Sequence, residues 1–293
     1  RDGYRRLVRP PRSVRLTVLL LATGLLAGCQ AASSAPTTSA PVSVAAASTP
    51  SVATTMTGAS ATPAPAPTPT PTATTKPLAG RTIVIDPGHN GVWTRRELRK
   101  VPSGNGRTKE CNSSGTATNA GYPEHAYNWA QANALAKALR ARGATVRLTR
   151  PDDHGEGPCV NLRSKLANDL GADALVSIHA DGNLSRGARG FHVIHSPTMT
   201  GGTKVEQKSL ALAKQVRHAL ETATPMPRST YVGGGTALDS RDDLGTLNLS
   251  DRPAVMIEMG NMRNATDAAL FGSAAFRAKV ATALADAIQA FLA

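Results

Sequence analysis

The sequence predicts one α/β domain with a largely parallel sheet over residues 80–293. Three observations carry that prediction. Short, nearly continuous apolar runs recur from Thr82 onward. They alternate with longer stretches of helical periodicity. Those stretches begin and end in residues suited to helix termini. Strands buried on both faces read as unbroken apolar runs, and helices between parallel strands cover those faces.

The elements follow in order. Thr82 to Asp86 is a strand closed by Pro87-Gly88. Val92 to Asn119 is long and polar and reads as a loop or hairpin. Pro123 to Arg142 is a helix. Pro123 suits its first position, Glu124 suits the positive end of its dipole, and Gly143 stops it. Thr145 to Thr149 is the second strand, and Asn161 to Leu170 a helix ended by Gly171. Ala174 to His179 is the third strand and Gly190 to His195 the fourth. A helix over Val205 to Thr222, a fifth strand over Pro253 to Glu258 and a helix over Ser273 to Leu292 complete the domain. No internal repeat is visible.

The segment before the domain is an address and a spacer. Arg1 to Arg15 is basic, and Leu16 to Leu26 is an apolar run too short to cross a bilayer core. This is the pattern of a signal peptide over residues 1–28. Residues 29–79 are Ala, Ser, Thr and Pro with a single charge at Lys76. Such a composition cannot bury enough apolar surface to offset its ordering entropy, so it reads as a disordered linker. As a coil it spans about 40 Å, and as extended polyproline II about 150 Å. Leu26-Ala27-Gly28-Cys29 resembles the lipobox of bacterial lipoproteins. That resemblance implies cleavage before Cys29, lipidation of its thiol, and a membrane anchor made of acyl chains alone. Plain secretion after cleavage near Ala31-Ala32 is the alternative. Either way the protein is expected to be exported to the cell envelope.

The formal net charge is +13. Residues 1–28 hold six Arg and one Asp, and 29–79 hold only Lys76, which leaves +7 on residues 80–293. A basic domain suits an anionic polymer or surface, though a merely soluble basic face explains the charge as well. No run of Lys and Arg interleaves with aromatics, which argues against nucleic acid as partner. No heptad or apolar stripe suggests assembly, so a monomer is expected. Cys111 and Cys159 lie 48 positions apart in loop-like sequence. In an exported protein such a pair is expected to form a disulfide, the alternative being two separate buried thiols.

Three apolar runs end in polar residues: at His89 (just past Asp86-Pro87-Gly88), His179 and Glu258. In a parallel sheet the strand C-termini share one edge, and ligands bind outside it. A helix following a strand starts at that edge, which brings Glu124 there too. Two His and one carboxylate leave a fourth position open, the pattern of catalytic zinc. Zinc lowers the pKa of its water to about 7. Glu258 then serves as the carboxylate that takes the proton and passes it to a leaving nitrogen. Each residue also has a plain reading: a structural His at a strand end, or a Glu paired with a helix dipole. Glu258 is the hardest to read plainly, since an unpaired buried carboxylate is costly.

Taken together these stretches resemble the zinc-dependent N-acetylmuramoyl-L-alanine amidases of the type 3 family. The likeness runs over about residues 81–292. It is carried by Ile85-Asp86-Pro87-Gly88-His89, by Glu124, and by Leu162-Arg163 and Ala167-Asn168. Ser177-Ile178-His179-Ala180, Pro253 through Gly260 and Asn264 complete it. The resemblance implies one zinc ion on His89, Glu124 and His179, with Glu258 as catalytic carboxylate. It implies hydrolysis of the amide between the lactyl group of N-acetylmuramic acid and L-alanine, so the partner is peptidoglycan or its muropeptide fragments. It also implies a twisted mixed sheet of about six strands flanked by helices. A peptidase within the stem peptide and a wall-binding lipoprotein without chemistry are the rival readings. The second is disfavoured because all four residues are present. His125, His154, His192, His195 and His218 are read as structural or surface residues. Asp86 and Asp181 are read either as supports for a ligand or as turn residues.

Overall fold

The structure, a computed structural model, describes residues 75–293. The signal peptide, Cys29 and nearly all of the 29–79 linker lie outside the described residues. The elements begin with β1 (Thr82–Pro87), β2 (Lys100–Gly104), β3 (Arg107–Glu110) and α1 (Glu124–Ala141). β4 (Thr145–Leu148), α2 (Val160–Asp169), β5 (Ala174–Asp181) and β6 (His192–His195) follow. Next come α3 (Thr203–Ala223), β7 (Leu238–Ser240), α4 (Gly245–Asn248) and β8 (Ala254–Asn261). α5 (Ala265–Gly272) and α6 (Ala274–Leu292) close the chain.

Six strands form one sheet in the order β4-β1-β5-β8-β6-β7. β4, β1, β5 and β8 are mutually parallel, and β6 runs antiparallel to β8. This is the largely parallel mixed sheet that the sequence predicts. The reversal at β6 has a local cause. Only the turn between Asp181 and His192 precedes β6, too short a connection to hold a crossover helix. β7 then pairs parallel to β6 after the α3 crossover.

Alternate residues of each strand feed two cores. Ile83, Ile85, Val176, Ile178, Val255 and Ile257 pack with α1, α3 and α6. Val84, Leu175, Ala254 and Met256 face the other way, toward Ala167 of α2 and Leu247 of α4. Continuous apolar strands are what a sheet covered on both faces requires. The first face is covered by three long helices. Among the described residues the second is covered by the shorter α2 and α4, the start of α3 and the β2–β3 hairpin, and there a cavity remains open.

Helix termini are set as the sequence suggests, within a residue or two. Pro123 stands just outside α1 in extended conformation. Gly143 takes φ 95° after α1, a left-handed geometry that favours glycine. Asn264 and Ser273 cap α5 and α6 through their side chains. The packed fold also reaches back to Leu78, ahead of the expected boundary at Gly80. Leu78 is fully buried, and its N–H donates to Arg142 O at 3.0 Å. A lone leucine in a Pro- and Ala-rich stretch has no periodicity to announce it.

Candidate metal centre

β1 delivers the first donor through an unusual turn. His89 has φ 61°, left-handed for a residue with a Cβ. Side chains hold that conformation from behind. Pro87 O accepts from Arg150 Nε and from Arg163 Nη1, each at 3.0 Å. His89 O accepts from Arg163 Nη2 at 3.0 Å, and Gly88 O from Asn128 Nδ2 at 3.3 Å. Arg163 is itself buried and paired with Asp86 at 2.6 Å. Asp86 also accepts from Ser177 Oγ at 2.6 Å. Burial opposes ionisation of Asp86, but Arg163 and the hydroxyl donors outweigh it and hold its carboxyl below the usual range. The hydrogen bonds of the Asp86 side chain go to Arg163, Ser177 and Thr149 rather than to a donor ring, so it anchors the arginine that fixes the turn.

Glu124 is the first residue of α1, where its charge suits the helix dipole. Thr116 N–H donates to its Oε2 at 3.0 Å, and Ala180 N–H donates to its Oε1 at 3.1 Å. His179 comes from β5. Gly88 lies against its ring so closely that a Cβ there would sit 2.2 Å from Cε1. Glycine is required at this contact for want of space.

The three side chains meet. His89 Nε2 lies 2.9 Å from Glu124 Oε1, and His179 Nδ1 lies 3.0 Å from the same oxygen. The two ring nitrogens are 3.2 Å apart. Donors on a tetrahedral zinc stand about 3.3 Å apart, given bonds of about 2.0–2.2 Å. The observed spacings come within a few tenths of that. The tautomer fits as well: His89 Nδ1–H donates to Ser113 O at 2.9 Å, which leaves the Nε2 lone pair facing the other donors. Among the described residues this is the one group whose donor atoms lie close enough together to hold a metal ion. Burial lowers the His179 pKa and keeps its ring neutral. For Glu124, burial is outweighed by the two histidines, and its carboxyl sits well below the usual range. Neutral imidazole and ionised carboxylate are the ligating forms; for His89, burial is outweighed by Glu124, which raises its pKa, so a metal ion must displace the proton that this ion pair favours.

Glu258 of β8 is the direct register partner of His179 on β5, so both side chains leave the same face of the sheet. Its Oε2 is buried without a hydrogen-bond partner. Burial, then the charges of Glu124 and Asp181, raise its pKa well above the ordinary value. These residues line one end of a cavity of about 730 Å³ that runs out to the β2–β3 hairpin. Met256, Thr246 and Val160 form part of its wall.

The remaining predicted residues fall as follows. Cys111 and Cys159 are bonded, tying the end of the hairpin to the start of α2, whose Arg163 fixes the turn. Asp181 takes a turn role, accepting from Gly182 N–H at 2.6 Å. His125 pairs with Asp153 at 2.9 Å, and His154 and His218 are exposed. His195 is half-buried away from the centre, but His192 is not remote. It is fully buried and lies directly opposite Glu258 across the β6–β8 pair. Sequence reasoning missed that placement because it depends on the reversed direction of β6. Arg150 was also missed, since a buried arginine looks like a surface one in sequence.

A donor triad and a neighbouring free carboxylate at the C-terminal edge of a mostly parallel sheet define an α/β-fold hydrolase with a candidate metal centre. The chain belongs to the type 3 N-acetylmuramoyl-L-alanine amidase family, whose sequence profile matches residues 83–290. It is similar to the N-acetylmuramoyl-L-alanine amidase Rv3717 of Mycobacterium tuberculosis. The two are 43% identical over 216 residues, which is 74% of this chain and 88% of that one. The solved N-acetylmuramyl-L-alanine amidase Ami1 of Mycobacterium smegmatis superposes with a TM-score of 0.70 at 41% identity, covering 73% of this chain and 98% of that one. The apo form of Ami1 from Mycobacterium abscessus gives the same TM-score and identity over 74% of this chain and 100% of that one.

Proposed function

We propose that this chain hydrolyses the amide joining the lactyl group of N-acetylmuramic acid to L-alanine in peptidoglycan or its muropeptides. One zinc ion would be held by His89, Glu124 and His179, with Glu258 as the catalytic base. The observation that carries this reading is the adjacency of Glu258 to His179 within a convergent two-His, one-Glu donor set. When bound, zinc supplies Lewis acidity that polarises the scissile carbonyl and acidifies the attacking water.

The protein's own groups do the rest. Glu258, buried and raised in pKa, accepts the proton of the attacking water and returns it to the leaving amide nitrogen. Glu124 is kept ionised by the two histidines it faces, and the Thr116 and Ala180 N–H groups fix where its oxygens point. Arg163 and Arg150 keep the His89 turn from relaxing. The cavity opens beside the triad and is large enough for a peptide segment.

The N-terminal pattern supports export, with residues 1–28 as signal, 29–79 as spacer, and lipidation at Cys29 as a membrane tether. The Cys111–Cys159 disulfide agrees with an oxidising compartment. The testing experiment is mass spectrometry of a muropeptide digest with and without chelator. Release of a peptide that begins with L-alanine, abolished by chelation and restored by zinc, is the expected result. Cleavage inside the stem peptide would replace this reading with a peptidase, and no cleavage at all would reduce the chain to a wall-binding protein.

A further inference from the structure

The cavity has a second charged end. Lys109, on the β2–β3 hairpin, lines the same cavity as the metal centre and is half-buried. The charges around it cancel in pairs, and Lys109 is left over. Lys100 pairs with Glu110 at 3.5 Å, and Arg107 with Asp242 at 3.1 Å. Asp243 is the acidic residue whose charge acts on Lys109, but both of its carboxylate oxygens are taken by Arg241, at 2.9 and 2.7 Å. Lys109 Nζ instead donates to the Asp243 backbone carbonyl at 3.1 Å. Among the described residues no carboxylate oxygen lies within ion-pair distance of Lys109.

A cation drawn partly out of water and left with only a carbonyl partner retains most of its charge for a ligand. Burial depresses the Lys109 pKa, with Asp243 opposing the shift and Arg241 adding to it, as an incompletely matched ammonium should show. Around the metal centre Asp86 is matched by Arg163 and Glu124 by its two histidines, while Glu258 and Asp181 have no cationic partner among the described residues, so that part of the cavity holds acidic charge rather than a second free cation. The cavity is thus polarised, with its one unmatched cation at the hairpin end.

The chemistry of the substrate supplies the complement. In the intact substrate the lactyl carboxyl is tied up in the amide, and the amino sugars are neutral. Negative charge resides on the carboxylates of the stem peptide. We propose that Lys109 binds a stem-peptide carboxylate and so makes the enzyme select acidic over carboxamide-capped stem peptides. The proposal rests on the amidase reading above. It also orients the substrate, with the peptide running toward the hairpin and the glycan leaving by the opposite side.

Steady-state kinetics on a matched pair of muropeptides, one with free carboxylates and one with carboxamides, tests it in the zinc-loaded full chain. The parent is expected to show a KM for the carboxamide about tenfold higher than for the acid, the range of one charge-assisted hydrogen bond. In Lys109→Met that ratio falls to near one. In Lys109→Arg, which keeps the charge, the ratio is retained. A parent with no preference, or a Lys109→Met enzyme that keeps the parent ratio, overturns the proposal while leaving the amidase reading intact. Failure of the parent to cleave either substrate overturns the amidase reading itself. If Lys109→Met does not fold, Lys109→Gln and Lys109→Arg compared by thermal unfolding and then by the same ratio decide the matter.

Discussion

Arg163 Nη2 donates to the backbone carbonyl of His89 at 3.0 Å, so a buried guanidinium grips the residue that offers the first donor nitrogen. The same guanidinium holds Pro87 O and Asn90 Oδ1, and Asp86 neutralises it. The left-handed φ of His89 persists because this network over-determines it. Replacing Arg163 by Met should raise the zinc dissociation constant by about 10- to 100-fold, as loss of supporting shells does elsewhere. Chelator competition on the folded variant measures it, and an affinity within about twofold of the parent would show that the turn holds itself.

Gly88→Ala tests the space behind the second histidine. The added methyl would meet the His179 ring at 2.2 Å, so the ring must move or the strand end must shift. Zinc affinity should drop by at least about tenfold. Unchanged affinity with an unchanged unfolding temperature would mean that the ring has room the geometry does not show.

Glu258 links pH to rate and to stability with opposite consequences. As a base it must be ionised, so kcat/KM should fall as pH drops through its raised pKa, giving an acidic limb above the ordinary carboxylate value of 4.5. Burial is the larger cause of that shift, and it persists when a cation neutralises Glu124. For stability, the unfolded chain ionises this carboxyl near 4.5, whereas the folded protein resists until the raised value. Folded stability therefore declines across that window as pH rises. Glu258→Gln removes the decline: the metal-free variant should melt higher than the parent at about pH 8 and no higher at about pH 4. It should also lose turnover. A Glu258→Gln protein that still hydrolyses muropeptides at the parent rate would falsify the assignment of the base.

The Cys111–Cys159 bond closes a 48-residue separation. In the chain-entropy model a loop of that length contributes about 4 kcal/mol. Cys159 adjoins the first residue of α2, and Val160 N–H donates to Cys111 O at 2.9 Å, so the bond also fixes where the Arg163 helix begins. Reduction, or Cys111→Ser with Cys159→Ser, should lower the denaturant midpoint accordingly. Free-thiol labelling of the native protein should find neither cysteine.

How much of this was legible in sequence depends on the range of the interaction. The four parallel strands and four long helices were readable because their patterns are local. Apolar runs fix double burial, and Pro123, Gly143 and Gly171 punctuate the chain. His89, Glu124, His179 and Glu258 could be placed together because a parallel sheet sends every strand end to one edge. α4, α5 and β7 were invisible, since three to eight residues carry too little periodicity to register. So was the role of His192. It faces Glu258 only because the short connection turns β6 back and lays it against β8, a strand about 60 residues further on that its own residues do not specify.

The sequence by itself determined the alternation of elements, the shared edge and the set of four polar residues there. Tertiary structure alone decided that the donors approach to 2.9–3.2 Å. It alone decided that two buried arginines hold the His89 turn and that Lys109 is left without a carboxylate. The physical reason is the same for each. Periodicity reports whether a side chain is buried, but pairing of charges and donors is settled by partners 35 to 134 positions away, through distances that only the folded packing defines.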